Sequence, residues 1–370
     1  MSASQKSAGS AGSANAPIIV KLGSAVARDG NGLLDETHLN AIVEQIARLT
    51  AQGQPTVLVS SGAVALGLAV APASVPTERN PVQRRQLLAA MGQTRLMAFY
   101  QNAFGEHDRQ VAQVLATRDD FATRRHYLNM RGCLVSALKH GVVPVVNEND
   151  VVSVTELMFT DNDELAALLA SMLGASQLIM LTNVEGVYDG PPGAPGSRLI
   201  KTWDGQSVQP KQGEDRSEFG RGGIASKVRS AQRLARLGTE VWIAHGRRPK
   251  VISDICSGSG HGTVFPADPT PATQPRRWLA AAPAGSALVV VNDGAAQALR
   301  APDRLASLLP VGISELAGHF ERGDIVTIVD TSRRPIGYGR AEYSSETAAQ
   351  RLGKQRQKPL IHYDYLYIEP

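Results

Sequence analysis

Five short apolar runs stand out in the first 245 residues: Ile18-Ile19-Val20, Thr56-Val57-Leu58-Val59, Val142-Val143-Pro144-Val145-Val146, Leu178-Ile179-Met180-Leu181 and Val241-Trp242-Ile243-Ala244. Most are continuous rather than alternating, the pattern of strands buried on both faces. Between them, apolar residues recur at helical spacing over Leu39 to Leu49, Gln86 to Phe104, Leu128 to His140, Asp163 to Leu173 and Ser226 to Leu237. Strand alternating with helix predicts an α/β fold, a mainly parallel sheet covered by helices. The stretch from Leu165 to Val184 carries no charge and has the length of a membrane span, but Gly174-Ala175-Ser176-Gln177 interrupts it. It reads as a helix followed by a buried strand.

The pattern changes after residue 266. Five prolines between Pro266 and Pro283 predict a linker over 267–284. Beyond it, Ala287 to Val291 and Asp324 to Val329 read as strands among glycines, which predicts a small, mostly β domain over 285–360. The first 16 residues are nearly all Ser, Ala and Gly, the composition of a flexible tail and not of a signal peptide. Residues 361–370 are read as a C-terminal tail. The domain at 17–266 is the larger one.

Composition narrows the classes. Of 370 residues, 43% are hydrophobic and 19% charged, which excludes disorder over most of the chain. Two cysteines, Cys133 and Cys256, are too few for a disulfide framework or a Cys-rich zinc site. A net charge of +4 suits an anionic ligand but does not by itself argue for nucleic acid. No Gly-x-x-x-x-Gly-Lys-Ser/Thr, no Gly-x-Gly-x-x-Gly after the first strand and no His-Glu-x-x-His occurs, against a P-loop enzyme, a nicotinamide dehydrogenase and a zinc hydrolase. No metal ligand is assigned.

Each predicted strand ends in polar residues: Lys21-Leu22-Gly23-Ser24, Ser60-Ser61-Gly62-Ala63, Asn147-Glu148-Asn149-Asp150, Thr182-Asn183 and His245-Gly246. Ligands of open α/β sheets bind beyond the carboxyl ends of the strands. Gly23 lets backbone amides approach an anion, and Lys21 adds a compact charge. Gly220-Arg221-Gly222-Gly223-Ile224-Ala225-Ser226-Lys227 opens a helix, where free N–H groups and the dipole suit phosphate. Lys227 in the first turn is unfavourable to that dipole unless an anion binds nearby. Thr160-Asp161-Asn162-Asp163-Glu164 reads either as a helix cap, which needs one Asp, or as carboxylates set near the lysines. No histidine partner supports a nucleophile at Ser60 or Ser61; a hydroxyl that binds a substrate carboxylate fits better.

In this order, Lys-Leu-Gly-Ser, Ser-Ser-Gly-Ala, Asn-Glu-Asn-Asp, Asp-Asn-Asp, Leu-Thr-Asn and Gly-Gly-x-x-x-Lys resemble the motifs of the amino acid kinase family. Arg85-Gln86-Leu87-Leu88-Ala89-Ala90-Met91-Gly92-Gln93 and Pro144 to Asp150 bring the resemblance closest to the branch that phosphorylates the γ-carboxylate of L-glutamate. Ser307 to Ile313 and Phe320 to Asp324 resemble the start of a PUA domain. The resemblance implies a three-layer αβα sandwich with a mainly parallel sheet (the amino acid kinase fold), followed by a small, mostly β, PUA-like domain. It implies ATP and Mg²⁺, transfer of the γ-phosphoryl group to L-glutamate, and the first step of proline biosynthesis in the cytoplasm.

The resemblance also implies roles. Lys21 and Lys227 stabilise the transferring phosphoryl, and Asp163 orients them. Ser61, Asn147, Asp150, Asp161 and Asn162 bind the acceptor. Gly23, Ser24, Thr182, Asn183 and the loop Arg221, Gly222, Gly223, Ile224, Ala225, Ser226 and Lys227 bind the nucleotide. Thr160, Asn183 and Arg221 depart from the usual Gly, Asp and Thr, and Ala25 from the usual Ser. Proline as feedback inhibitor and a homo-oligomer are family expectations. RNA binding by the PUA-like domain has only 10 Lys/Arg against 8 Asp/Glu over 285–360 behind it. Two alternatives stay open: another carboxylate kinase of this fold, or an RNA-binding protein acting through its C-terminal domain.

Overall fold

The computed structural model describes residues 16–75, 79–122, 124–153, 162–192, 194–204, 223–269, 287–301 and 306–368. The N-terminal tail up to Asn15, most of the linker, and Thr160, Asp161, Arg221 and Gly222 lie outside the described residues.

In chain order the first elements are β1 (Ile18–Leu22), α1 (Glu36–Ala51), β2 (Thr56–Val59), α2 (Ala63–Val70), α3 (Pro81–Gly105), β3 (Val111–Ala116), α4 (Asp119–Ala122) and α5 (Arg124–Lys139). They are followed by β4 (Val143–Glu148), α6 (Asn162–Leu173), β5 (Gln177–Thr182), α7 (Ile224–Arg236), β6 (Glu240–His245), α8 (Val251–Cys256) and β7 (Thr263–Phe265). The seven strands form one sheet in the order β3-β4-β2-β1-β5-β6-β7. β4, β2, β1, β5 and β6 pair in parallel, and β7 closes the edge antiparallel.

All five predicted strands form, and every residue of β1, β2 and β4 is buried, as continuous apolar runs require. The five predicted helices form too. α3 starts earlier than its apolar spacing, because Asn80 caps it by accepting from the Val82 and Gln83 amides and Pro81 takes the first position. β3 and α2 carried no usable signal: β3 is only half-buried, and the short α2 is apolar all round. Leu165 to Val184 resolves into α6, a turn at Gly174 and β5. Among the described residues no helix is long and apolar enough to cross a membrane.

Alternation along β1 decides what faces the site. Ile18, Val20 and Leu22 join a core built with Leu39, Ile42 and Ile46 of α1 and Ile252 and Ile255 of α8. Lys21 therefore points to the other face, where α6 lies. β1 is the strand from which the chain leaves to β2 on one side and is met by β5 on the other, the switch point at which open α/β sheets bind ligands.

The described residues divide into two compact units. The first is not a contiguous 17–266, because residues 116–134 group with the second unit. No composition shift marks that excursion, since it begins in the last residue of β3 and ends inside α5. From residue 287 onward the second unit holds a sheet in the order β12-β11-β10-β8-β9, made by β8 (Leu288–Val291), β9 (Ile313–Ala317), β10 (Ile325–Val329), β11 (Pro335–Arg340) and β12 (Leu366–Ile368). β8 and β10 are the two predicted strands. The expectation of a plain tail over 361–370 is corrected: Leu366–Ile368 pairs with β11 as the edge strand, and Ile361 is fully buried. Three strand residues are too few to show a pattern.

Candidate functional site

Because the central strands are parallel, their polar ends share one edge. Lys21 closes on Asp163 in the first turn of α6, with Nζ 2.5 Å from Oδ1. Lys227 in the first turn of α7 reaches Oδ2 of the same carboxylate at 2.7 Å. The Asp163 side chain is 1% exposed and Lys21's 6%. Burial pushes the Asp163 carboxyl upward, but the ammonium groups of Lys21 and then Lys227 outweigh it and hold the group well below the ordinary carboxylate range. Two cations share one anion, so the cluster keeps one net positive charge in a place water scarcely reaches. Mutual repulsion of the lysines makes a further anion favourable there. Asp163 lies inside α6 rather than ahead of it, so Asp163 itself is not the helix cap.

A second cluster adjoins the first through Asn162, the residue before Asp163. Asn162 Nδ2 donates to the Ser60 carbonyl at 2.7 Å, to Ser61 Oγ at 2.8 Å and to Asn147 Oδ1 at 2.9 Å. Since Ser61 Oγ accepts there, its own hydrogen remains to be donated. Asp150 follows β4 and is held by Arg85 of α3, whose Nη2 and Nε lie 2.7 and 3.2 Å from one oxygen, Oδ1. Among the described residues its Oδ2 has no partner, which leaves it for a cation.

Gly23 sits where a side chain would press on β5: a Cβ there would lie 3.0 Å from the Leu181 carbonyl oxygen and 3.9 Å from Thr182 Cα. Gly23 N–H donates to that Leu181 oxygen, and Gly246 N–H donates to the Thr182 carbonyl. Gly23 and Thr182 are thus adjacent, with Ser24 next along the chain. Exposed Asn183 accepts from Thr182 Oγ1 at 3.3 Å. Gly223 caps α7 without a side-chain bond, and Ser226 and Lys227 N–H already donate to its carbonyl, so the amides of Ile224 and Ala225 present the positive end of the dipole. Asp161, Arg221 and Gly222 are outside the described residues.

The sequence reading left α3 without a role. It supplies Arg85 to Asp150, Gln93 to Asn147 (2.9 Å) and Tyr100 to Ser60 Oγ (2.7 Å). The signal was present as spacing: positions 85, 93 and 100 lie near one face of a helix.

Among the described residues, no three His, Cys, Asp or Glu side chains gather as a cation site.

Comparison with known proteins agrees with this layout. The model of the amino acid kinase family matches residues 16–245, and that of the PUA domain residues 288–362. The chain is 43% identical to glutamate 5-kinase of Chlorobaculum tepidum over 95% of this chain and 97% of that one. With glutamate 5-kinase of Bacteroides thetaiotaomicron the identity is 41%, over 95% and 98%. Among solved structures, carbamate kinase from Giardia lamblia bound to AMP-PNP aligns over 69% of this chain and 100% of its own, with a TM-score of 0.50 and 18% identity, a likeness of fold.

Proposed function

This chain belongs to the amino acid kinase family, in its glutamate 5-kinase branch, and from that premise we infer that it transfers the γ-phosphoryl group of ATP to the γ-carboxylate of L-glutamate. A γ-carboxylate oxygen bonds to the γ-phosphorus while the bond to the β,γ-bridging oxygen breaks. ADP leaves, and an acyl phosphate, L-glutamyl 5-phosphate, is the product of this first step toward proline. The nucleophile is already an anion, so no general base is needed. The obstacle is repulsion between that anion and the phosphates.

The observation that carries the reading is the single buried carboxylate of Asp163 shared by Lys21 and Lys227. Its net positive charge suits a phosphoryl group, and catalysis of such transfer is mostly positioning and charge neutralisation. In this proposal Lys21 and Lys227 flank the transferring group and Asp163 orients them. Ser61, Asn147, Asp150 and Asn162 bind glutamate, with Asp150 Oδ2 facing its ammonium. Gly23, Ser24, Thr182, Asn183 and the start of α7 hold the nucleotide, and Arg221, Gly222 and Asp161 are assigned by resemblance. Mg²⁺ bound to ATP would add charge neutralisation on the phosphates.

Feedback inhibition by proline, a homo-oligomer and action in the cytoplasm belong to the same proposal through kinship with that branch. RNA binding by the C-terminal unit has only the small basic excess behind it.

The test is acyl-phosphate formation trapped with hydroxylamine, with L-glutamate, L-aspartate and N-acetylglutamate offered in parallel. Turnover with glutamate alone is expected. Turnover with another acceptor overturns the substrate, and none from folded, ATP-binding protein overturns the function.

A further inference from the structure

The residues that meet the acceptor in the proposed function are held by amide groups whose orientation is not arbitrary. Glu148 N–H, which can only donate, points at Asn147 Oδ1 at 2.9 Å. The atom there must be the oxygen, so Asn147 turns its –NH₂ toward Gln93. Gln93 must answer with Oε1, at 2.9 Å, because a flipped amide would set –NH₂ against –NH₂. At the other end the Ser60 carbonyl, which can only accept, fixes the –NH₂ of Asn162 inward on Asn147 and leaves Asn162 Oδ1 directed away from this cluster. One chain of bonds, anchored on backbone at both ends, sets two proposed acceptor-binding amides, and Gln93 is the side chain that holds Asn147 within it.

A second observation bears on Gln93 itself. Among the described residues, its buried Nε2 has no hydrogen-bond partner. An unpaired buried donor costs about 1–3 kcal/mol. A methionine of similar length would remove that donor but would also take away the acceptor of the buried Asn147 –NH₂, so for stability the exchange is close to neutral. The unpaired donor that the amide at 93 keeps is a cost of the kind that functional sites tolerate.

We propose that Gln93 is a positioning residue of the acceptor pocket, which sets Asn147 and through it Asn162 for glutamate. This rests on the reading of the site as a glutamate kinase. It concerns acceptor binding, not the phosphoryl centre built by Lys21, Asp163 and Lys227.

The test is steady-state kinetics of the full chain with Gln93→Met, Gln93→Glu, Asn147→Ala and the double variant Asn147→Ala/Gln93→Met. Gln93→Met is expected to raise KM for glutamate tenfold or more, to leave KM for ATP within twofold, and to melt close to wild type, one unpaired buried donor having replaced another. In the Asn147→Ala background the same change adds less than twofold, because the group it positions is gone. Gln93→Glu keeps an acceptor for Asn147. Its buried carboxyl resists charging, so its KM falls toward the wild-type value as pH is lowered and the neutral acid replaces the amide. Should Gln93→Met fail to fold, the pH profile of Gln93→Glu decides: a flat profile overturns the proposal. Unchanged glutamate KM, equal losses for both substrates with a lower melting point, or full additivity with Asn147→Ala also overturns it. Wild-type protein that does not phosphorylate glutamate overturns instead the function on which it rests.

Discussion

Gly67 and Gly92 let α2 and α3 meet backbone to backbone. A Cβ on Gly67 would stand 1.8 Å from the Leu88 carbonyl oxygen, and one on Gly92 1.7 Å from that of Ala63. No side chain can give way, because both obstacles are main chain. The contact fixes where α3 runs past the end of β2, and Gln93 is the next residue along it.

Gly92→Ala therefore sets two effects against each other. Alanine in a helix interior gains up to about 1 kcal/mol over glycine. Forcing the helices apart costs about 1–3 kcal/mol or more for an overpacked contact. The clash wins: the denaturant midpoint is expected to fall, and glutamate KM to rise as Gln93 moves. A midpoint at or above that of wild type would mean that the helices separate freely.

Much of this fold was legible because its strands are short apolar runs and its helices keep their spacing. The elements that were missed are those where tertiary contact supplies the reason. α2 has no polar face, since Gly67 seats it on α3, and Leu366–Ile368 is a strand only because β11 offers it a partner. The candidate site was half legible. Lys21, Asp163 and Lys227 sit in recognisable motifs, and the structure joins them. Arg85, Gln93 and Tyr100 occupy ordinary helical positions, and their partners lie about 40 to 65 residues away. Spacing can show that three residues share a face, but not which face meets the sheet edge.

Lys227→Ala is expected to lower turnover at least ~100-fold with the fold intact, about 2.7 kcal/mol of transition-state stabilisation. The remaining pair of Lys21 and Asp163 is neutral, so the positive charge offered to the phosphoryl disappears. Single-turnover rates at saturating ATP and glutamate check this, and a rate within tenfold of wild type would remove Lys227 from the chemistry.

Asp163 gives the stability of the chain an acid limb. Its folded pKa lies below the unfolded value of about 3.9, so its contribution is fully present above that value and is lost as pH falls toward the folded one. Asp163→Asn leaves two lysines without their shared anion. The variant is expected to melt well below wild type at pH 7, with the gap narrowing as pH drops below about 4. Melting curves from pH 7 to 3 decide, and a gap that does not change with pH would show that the carboxylate's charge is not what matters.

The two cysteines differ in reach. Burial, and then the charge of Glu240, pushes the Cys256 thiol up to about 11, whereas Cys133 is exposed. The thiolate is the reactive form. At pH 8 a chromogenic disulfide should titrate one thiol in native protein and the second only after unfolding. Cys133→Ser should abolish the first, and fast reaction of both would contradict the shielding of the half-buried Cys256.

Asp150 is the group on which acceptor binding should depend most. Arg85 engages only Oδ1, and its side chain is 37% exposed against 9% for Asp150, so the pair is anchored on the buried partner. Removing the carboxylate takes away the site's proposed contact with the substrate ammonium, whereas removing Arg85 takes away only what holds it. Asp150→Ala is therefore expected to raise glutamate KM by at least ~30-fold, with turnover at saturation falling much less, the mark of a group that binds ground state and transition state alike. Arg85→Gln should raise it only ~3-fold, in line with the modest worth of a partly exposed ion pair. An acceptor that lacks the ammonium, such as glutarate, should lose its disadvantage in Asp150→Ala. Parallel KM measurements with glutamate and glutarate in both variants settle the matter. If Asp150→Ala weakened both acceptors equally, the carboxylate would be shaping the loop rather than meeting the ammonium.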